Sequence, residues 1–176
     1  MTLQIKQVDF DIVLENPMLI KNLLNDAYEG DFSEQDWQHT FGGARFLGTL
    51  GDQIVAHAAV VPRPALINDL PMTIGYLEGV AVSSKFKGQR LGSQLLQHVS
   101  DFCKSNYEIS MLSTDEFGFY GKFGWQRFEG ASGVMQDSVR SLTPEEDDGL
   151  MYLAGNSTES IEISTAYCDW REGDCW

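Results

Sequence analysis

The stretch that most restricts the fold is Tyr76–Gly92, which reads YLEGVAVSSKFKGQRLG. An apolar strand, Val80-Ala81-Val82, runs into a loop from Ser83 to Gln89 that feeds a helix beginning near Arg90. Beyond it, Leu91, Leu95, Val99 and Phe102 recur at helical spacing, so RLGSQLLQHVSDFCKS is expected to be an amphipathic helix with one buried side. A strand–loop–helix junction of this kind leaves unpaired N–H groups and the positive end of the helix dipole at the loop, which suits a pyrophosphate. Glycines there let the backbone approach phosphate oxygens closely. Taken alone, the junction is also how an ordinary capped helix begins.

The bulk properties narrow the options. At 176 residues with 43% apolar content, the chain is expected to be a single domain spanning residues 1–176, with a full core. It lacks a long apolar run and has no basic-then-apolar leader, so no membrane partner is expected and a cytoplasmic location is. Cys103, Cys168 and Cys175 read as free thiols. His39, His57 and His98 are scattered and suggest no metal site; His57, in an apolar run, reads as a satisfied core histidine. Twelve basic against 26 acidic residues give a net charge of −14, which argues against nucleic acid and permits a cationic partner.

Along the chain, TLQIKQV alternates as a first strand, and Asn16-Pro17 reads as the N-cap and first turn of a helix carrying Leu19, Leu23, Leu24 and Ala27 on one face. Ser33, with Asp36 three residues on, caps a second short helix closed by Gly42-Gly43. ARFLGTL and QIVAHAAVV flank a Gly51-Asp52 turn, and PMTIGYLEGVAV follows as a third strand of this meander. After the amphipathic helix come strand ISMLS, a short helix EFGFYGKF and strand GWQRFEG. SVRSLTPEEDDG reads as loop, GLMYL and SIEIS as strands, and AYCDWREGDCW as an irregular tail. This order implies an α+β domain on one mixed sheet.

The Tyr76–Gly92 segment resembles motif A of the GNAT acetyltransferase superfamily, whose loop reads Gln/Arg-x-x-Gly-x-Gly/Ala. Here it is Lys87-Gly88-Gln89-Arg90-Leu91-Gly92: the last glycine is kept, Lys87 stands for Gln/Arg, and Arg90 replaces the inner glycine. With ordinary helical angles Arg90 would add positive charge near the CoA phosphates. Tyr120 and Phe123-Gly124-Trp125 also sit where that superfamily places such residues. The resemblance implies the GNAT fold, a mixed, mostly antiparallel central sheet flanked by helices, with acetyl-CoA as co-substrate, no metal, and a homodimer. It places the cofactor on Val80, Ala81, Val82, Lys87, Gly88, Gln89, Arg90, Leu91, Gly92 and Ser93, with backbone N–H groups of Gly79–Val82 holding the acetyl carbonyl. It implies Glu78 as base, through a water, Tyr120 as acid toward the CoA sulfur, and Ser113 as a third catalytic candidate.

Three further stretches, residues 29–43, 145–149 and 167–176, resemble the aminoglycoside 2'-N-acetyltransferases, notably in GDFSEQDWQHTFGG and CDWREGDCW. The likeness covers about residues 28 to 176. By position it implies a polycation pocket lined by Asp31, Glu78, Gly79, Asp147, Asp174 and Trp176, the ring and terminal carboxylate of Trp176 closing one side and that residue docked. Within the acidic run, Glu146 or Asp148 are alternatives to Asp147. Carboxylates suit a ligand with several ammonium groups because they only accept hydrogen bonds. They also favour the charged amine, which the base must then deprotonate. Other readings stay open: a kasugamycin-type aminoglycoside, a polyamine, a cell-wall precursor or a protein amine as acceptor, or a non-catalytic protein that binds a cationic drug or senses acetyl-CoA.

Overall fold

The computed structural model describes residues 2–8, 15, 17–158 and 161–176. The expected N-cap Asn16 lies outside the described residues. The chain clusters into two compact units, Met1–Val61 with Leu77–Val99, and Pro62–Tyr76 with Ser100–Trp176.

In the first unit, β1 (Gln4–Val8) lies antiparallel to β2 (Ala44–Leu50), and β2 lies antiparallel to the first part of β3 (Gln53–Ile67), Ala44 facing Val60. The Gly51-Asp52 turn joins them, with Gly51 at a φ of +58°. Helix α1 (Pro17–Ala27) buries Ile20, Leu23 and Leu24. Leu19 is 57% exposed, so the expected apolar face is rotated: the seam is Ile20, Leu23, Leu24 and Ala27, spaced i, i+3, i+4 and i+7. Burial of each large aliphatic side chain there contributes about 1.5–3 kcal/mol. Helix α2 (Glu34–His39) carries the cap foreseen from sequence, with Trp37 buried. Ile20, Leu23, Leu24, Trp37, Leu47 and Ala81 form this unit's core. The end of β4 (Leu70–Val82), a 3-10 turn (Ser84–Phe86) and the start of α3 (Leu91–Asn106) complete it.

In the second unit, the rest of β3 and β4 meet at Asn68-Asp69, both with positive φ (50° and 65°). This is a left-handed turn made by the two non-glycine residues that tolerate it best. β5 (Ile109–Ser113) runs parallel to β4, β9 (Leu150–Ala154) antiparallel to β5, and β6 (Gln126–Arg127) antiparallel to β9. β10 (Thr165–Asp169) pairs antiparallel with β3 and parallel with β7 (Ala131–Gln136), and β8 (Val139–Leu142) antiparallel with β7. Helix α4 (Phe117–Tyr120) follows β5. The core gathers Ile74, Tyr76, Met111, Leu150, Ala166, Cys168 and Trp176. The α+β, mixed and mostly antiparallel arrangement expected from sequence is the one that forms.

Several boundaries differ from expectation. β3 continues past Val61 through Pro62 and Pro64, because β2 stops pairing at Val60 and β10 starts at Ala65, so the prolines fall where no ladder donor is needed on that edge. The supposed loop after Ser138 contains β8, whose four residues are all exposed. Ile161–Ser164 form no strand, whereas the supposed irregular tail begins with β10. Among the described residues, no helix is long and apolar enough to cross a membrane.

Candidate active site

The first unit builds a strand end and an anion-ready loop. Gly79 sits inside β4 with a φ of +56°, and a Cβ there would come within 3.1 Å of Thr40 Cγ2 and 3.3 Å of His57 Cε1. Both the dihedral and the tight space favour glycine. His57 is fully buried; its Nδ1 lies 2.6 Å from the Gly79 carbonyl oxygen and its Nε2 lies 2.6 Å from Arg45 Nη1. Arg45 Nη2 donates to Thr40 O (2.9 Å) and to Thr40 Oγ1 (2.7 Å), and the guanidinium lies over the Trp37 and Phe41 rings. Burial first, and the Arg45 charge second, hold the His57 imidazole neutral, its pKa lowered to about 3. The expected core histidine is thus present and fully partnered.

Glu78, next to Gly79, is half-buried, and Asp31 is exposed. Tyr28 donates from its hydroxyl to the Val80 carbonyl at 3.3 Å. Burial, then the charges of Glu78 and Asp36, raise the Tyr28 phenol above its ordinary value, so it stays a donor. These contacts bring Glu78, Tyr28 and Val80 into one neighbourhood.

After β4, Gly88 has a φ of +83° with open space where a Cβ would be. Arg90 has a φ of +61°, so the expected helical geometry is corrected: it takes the left-handed conformation that the missing glycine would supply, and α3 starts at Leu91. Gln94 N–H donates to Arg90 O at 3.2 Å, placing the amides of Leu91, Gly92 and Ser93 ahead of the helical ladder. Lys85, Lys87 and Arg90 are exposed along the same loop. Asp26 fixes the loop's start, accepting from Ser84 N–H (2.9 Å) and Ser84 Oγ (2.8 Å). Amides ahead of the helical ladder, positive side chains and glycine-opened space together fit a pyrophosphate.

The second unit carries the other expected residues. Ser113 ends β5 and is exposed; a Cβ on Gly149 would fall 2.9 Å from its Oγ, so that glycine makes room for the hydroxyl. Tyr120 ends α4, its ring edge-on to Phe119 and Trp125 at 5.4 and 6.3 Å. Asp147 accepts from Ser132 N–H at 2.7 Å, tying the acidic turn to β7. Its neighbour Glu146 has its pKa raised by burial, then by the charges of Asp174 and Glu145, which puts Glu146 and Asp174 in each other's field. Trp176 is 4% exposed, 6.0 Å from the Tyr76 ring, with Nε1 unpartnered among the described residues. Buried Arg63 clamps the tail through Asp169 Oδ1 (3.0 Å), Asp169 O (2.7 Å) and Cys175 O (2.6 Å). The docking of Trp176 expected from the motif is therefore realised, with the ring inside the core.

Comparison with known proteins settles the class. A sequence model described as an acetyltransferase (GNAT) domain matches residues 18–128. The chain belongs to the GNAT acetyltransferase family. One relative, an aminoglycoside 2'-N-acetyltransferase from Mycolicibacterium fortuitum, is 35% identical over 161 residues, covering 89% of this chain and 83% of its own. A GNAT family N-acetyltransferase from Escherichia coli, solved in complex with CoA, superimposes with a TM-score of 0.65 at 17% identity, covering 97% of this chain and 90% of its own. One from Brucella melitensis, solved in complex with acetyl-CoA, gives 0.60 at 14%, covering 93% and 95%. At such identities the structures speak for the GNAT fold alone.

Sequence reasoning missed Tyr28, Thr40 and Arg45. Only the spacing of Thr40 and Arg45 around Gly42-Gly43 hinted at them; their importance comes from His57, in another strand, and from Gly79, in a third.

Proposed function

We propose that this GNAT enzyme transfers the acetyl group of acetyl-CoA directly to the 2'-amine of aminoglycosides and so gives resistance. The observation that carries the reading is the relative so named, 35% identical over 89% of this chain and 83% of its own. Acetyl-CoA supplies the activated acyl group. This chain's residues hold it: the amides of Leu91–Ser93 with Lys87 and Arg90 at the pyrophosphate, and Val80 N–H at the acetyl oxygen. Glu78 accepts the amine proton through a water, and Tyr120 donates to the departing sulfur, with Ser113 as a third catalytic residue. Asp31, Asp174 and the acidic turn take the other ammonium groups. In that turn Glu146 lies in the field of Asp174, while Asp147 also braces β7.

The chain is proposed to work in the cytoplasm as one 1–176 domain and as a homodimer, without metal, nucleic acid or membrane.

Thiol release with acetyl-CoA, measured against tobramycin, gentamicin, kasugamycin and amikacin (a hydroxyl replaces its 2'-amine), tests the reading. Release with tobramycin and little with amikacin is expected. Glu78→Gln should lower kcat/KM by about 10²-fold, in the range of a lost general base. Tyr120→Phe should lower kcat more than it raises KM. CoA binding without release from any of the four would refute the reading, and wild-type kinetics in both variants would remove the assigned roles.

A further inference from the structure

The His57 contacts admit a single protonation pattern. Arg45 Nη1 can only donate, so Nε2, 2.6 Å away, must be the accepting nitrogen. The Gly79 carbonyl can only accept, so Nδ1, also 2.6 Å away, must carry the proton. His57 is 0% exposed and Arg45 4% exposed, so water does not screen the pair. Among the described residues no carboxylate pairs with Arg45; its charge is met by Thr40, His57 and two ring faces. A cation hydrogen-bonded to one imidazole nitrogen draws electron density across the ring and strengthens the N–H on the other side. That stronger donor meets the Gly79 oxygen, and Gly79 C=O and Val80 N–H belong to one peptide group. Pulling electron density onto the oxygen of a peptide makes its N–H a better donor, because the two are joined by the same resonance.

We propose that Arg45 and His57 are positioning residues that form a buried polarising relay, holding the Gly79–Val80 peptide and strengthening the Val80 N–H offered to the acetyl oxygen. The inference rests on the reading above in one respect, the assignment of Val80 N–H to that oxygen. The alternative, a histidine that merely fills space, would place no demand on its tautomer and would not touch the chemical step. The relay also fits glycine at position 79: its φ is +56°, and an added Cβ would sit 3.3 Å from His57 Cε1, so a side chain there would be strained and would press on the imidazole. The neutral state of His57 follows from the same geometry, since a second ring proton would face Arg45.

The test needs the native enzyme and three variants. Asparagine places its amide where Nδ1 lies, so His57→Asn keeps a donor for Gly79 and leaves Arg45 without its acceptor. Glutamine reaches the Nε2 position, so His57→Gln keeps the acceptor and loses the donor. Arg45→Met removes the charge. Nitrogen-15 spectra of the native enzyme should show His57 neutral, protonated on Nδ1, and unchanged from pH 5 to 8. The Val80 amide proton should move upfield in His57→Gln and Arg45→Met, and less in His57→Asn. In His57→Gln, kcat should fall roughly tenfold, less than the 10²–10³-fold of deleting an oxyanion donor outright. The Kd for CoA, which has no acetyl oxygen, should stay within about twofold, since the lost donor acts only on that oxygen. Protonation on Nε2, titration inside that pH range, or an unmoved Val80 proton in a folded His57→Gln would overturn the relay. Should the native enzyme acetylate no aminoglycoside, the functional reading fails, while the tautomer and the Val80 shift still decide the relay.

Discussion

At Arg90 the GNAT loop asks for a glycine and receives an arginine, and the backbone does not yield: φ stays at +61°. A side chain in that region costs roughly 1–2 kcal/mol. The arginine is retained beside Lys85 and Lys87, where a pyrophosphate would repay the strain with a charge-assisted contact. Two substitutions separate these effects. Arg90→Gly relieves the dihedral and loses the charge, whereas Arg90→Ala keeps the strain and loses the same charge. The glycine variant should melt above the alanine variant, with a gap of at most about 1 kcal/mol because glycine also gains freedom in the unfolded chain. Both should weaken CoA binding by a similar severalfold factor. An alanine variant as stable as the glycine one would mean that the loop relaxes out of the left-handed region. The departure from the motif is plain in the sequence, but its resolution is not: a chain with Arg in place of Gly can either change its dihedrals or bear the cost, and the choice depends on the surrounding packing.

Helix α2 shows how a short element is fixed. Six residues cannot sustain a helix unaided. The caps hold it: Ser33 Oγ accepts from Asp36 N–H at 3.1 Å and Asp36 Oδ2 accepts from Ser33 N–H at 2.7 Å, while Trp37 anchors the other face. Asp31 precedes this helix and Thr40 follows it, so the cap sets both a proposed ammonium ligand and a relay partner. Ser33→Ala should cost about 1 kcal/mol of stability and raise KM for the aminoglycoside while kcat changes little. A fall in kcat at constant KM would instead link the cap to the chemical step. This cap was legible in sequence because both partners lie within one turn. The same locality made β1, β2, α3 and β5 readable. β10 was not, since its identity as a strand depends on β3 and β7, which contact it from distant parts of the chain, and its odd-looking Tyr-Cys-Asp run alternates only once those partners are known. β8 escaped because it is an exposed edge with no apolar alternation to read. The site divides in the same way: Glu78, Gly79 and the Lys87–Ser93 loop follow from one contiguous segment, whereas the pairing of His57 with Arg45 and Gly79 requires three strands to come together.

Over the whole molecule, the charge of −14 is distributed unevenly, because three of the twelve basic residues, Lys85, Lys87 and Arg90, fall within one exposed loop. A polycationic acceptor approaching the enzyme feels the overall negative field from afar. A CoA thioester, carrying phosphates, is repelled at long range and attracted only close to that loop. Salt separates the two, since the screening length falls from about 30 Å at 10 mM ionic strength to about 8 Å at 150 mM. Across that interval, the KM for an aminoglycoside should rise severalfold. The KM for acetyl-CoA should fall, as distant repulsion is removed faster than contact with Lys87 and Arg90. In Arg90→Ala the acetyl-CoA response should keep its sign from a higher starting KM, because the distant field is nearly unchanged. Steady-state kinetics at fixed pH and graded sodium chloride check this. A parallel rise of both constants would show that local phosphate contacts, not the field of the whole protein, govern cofactor capture.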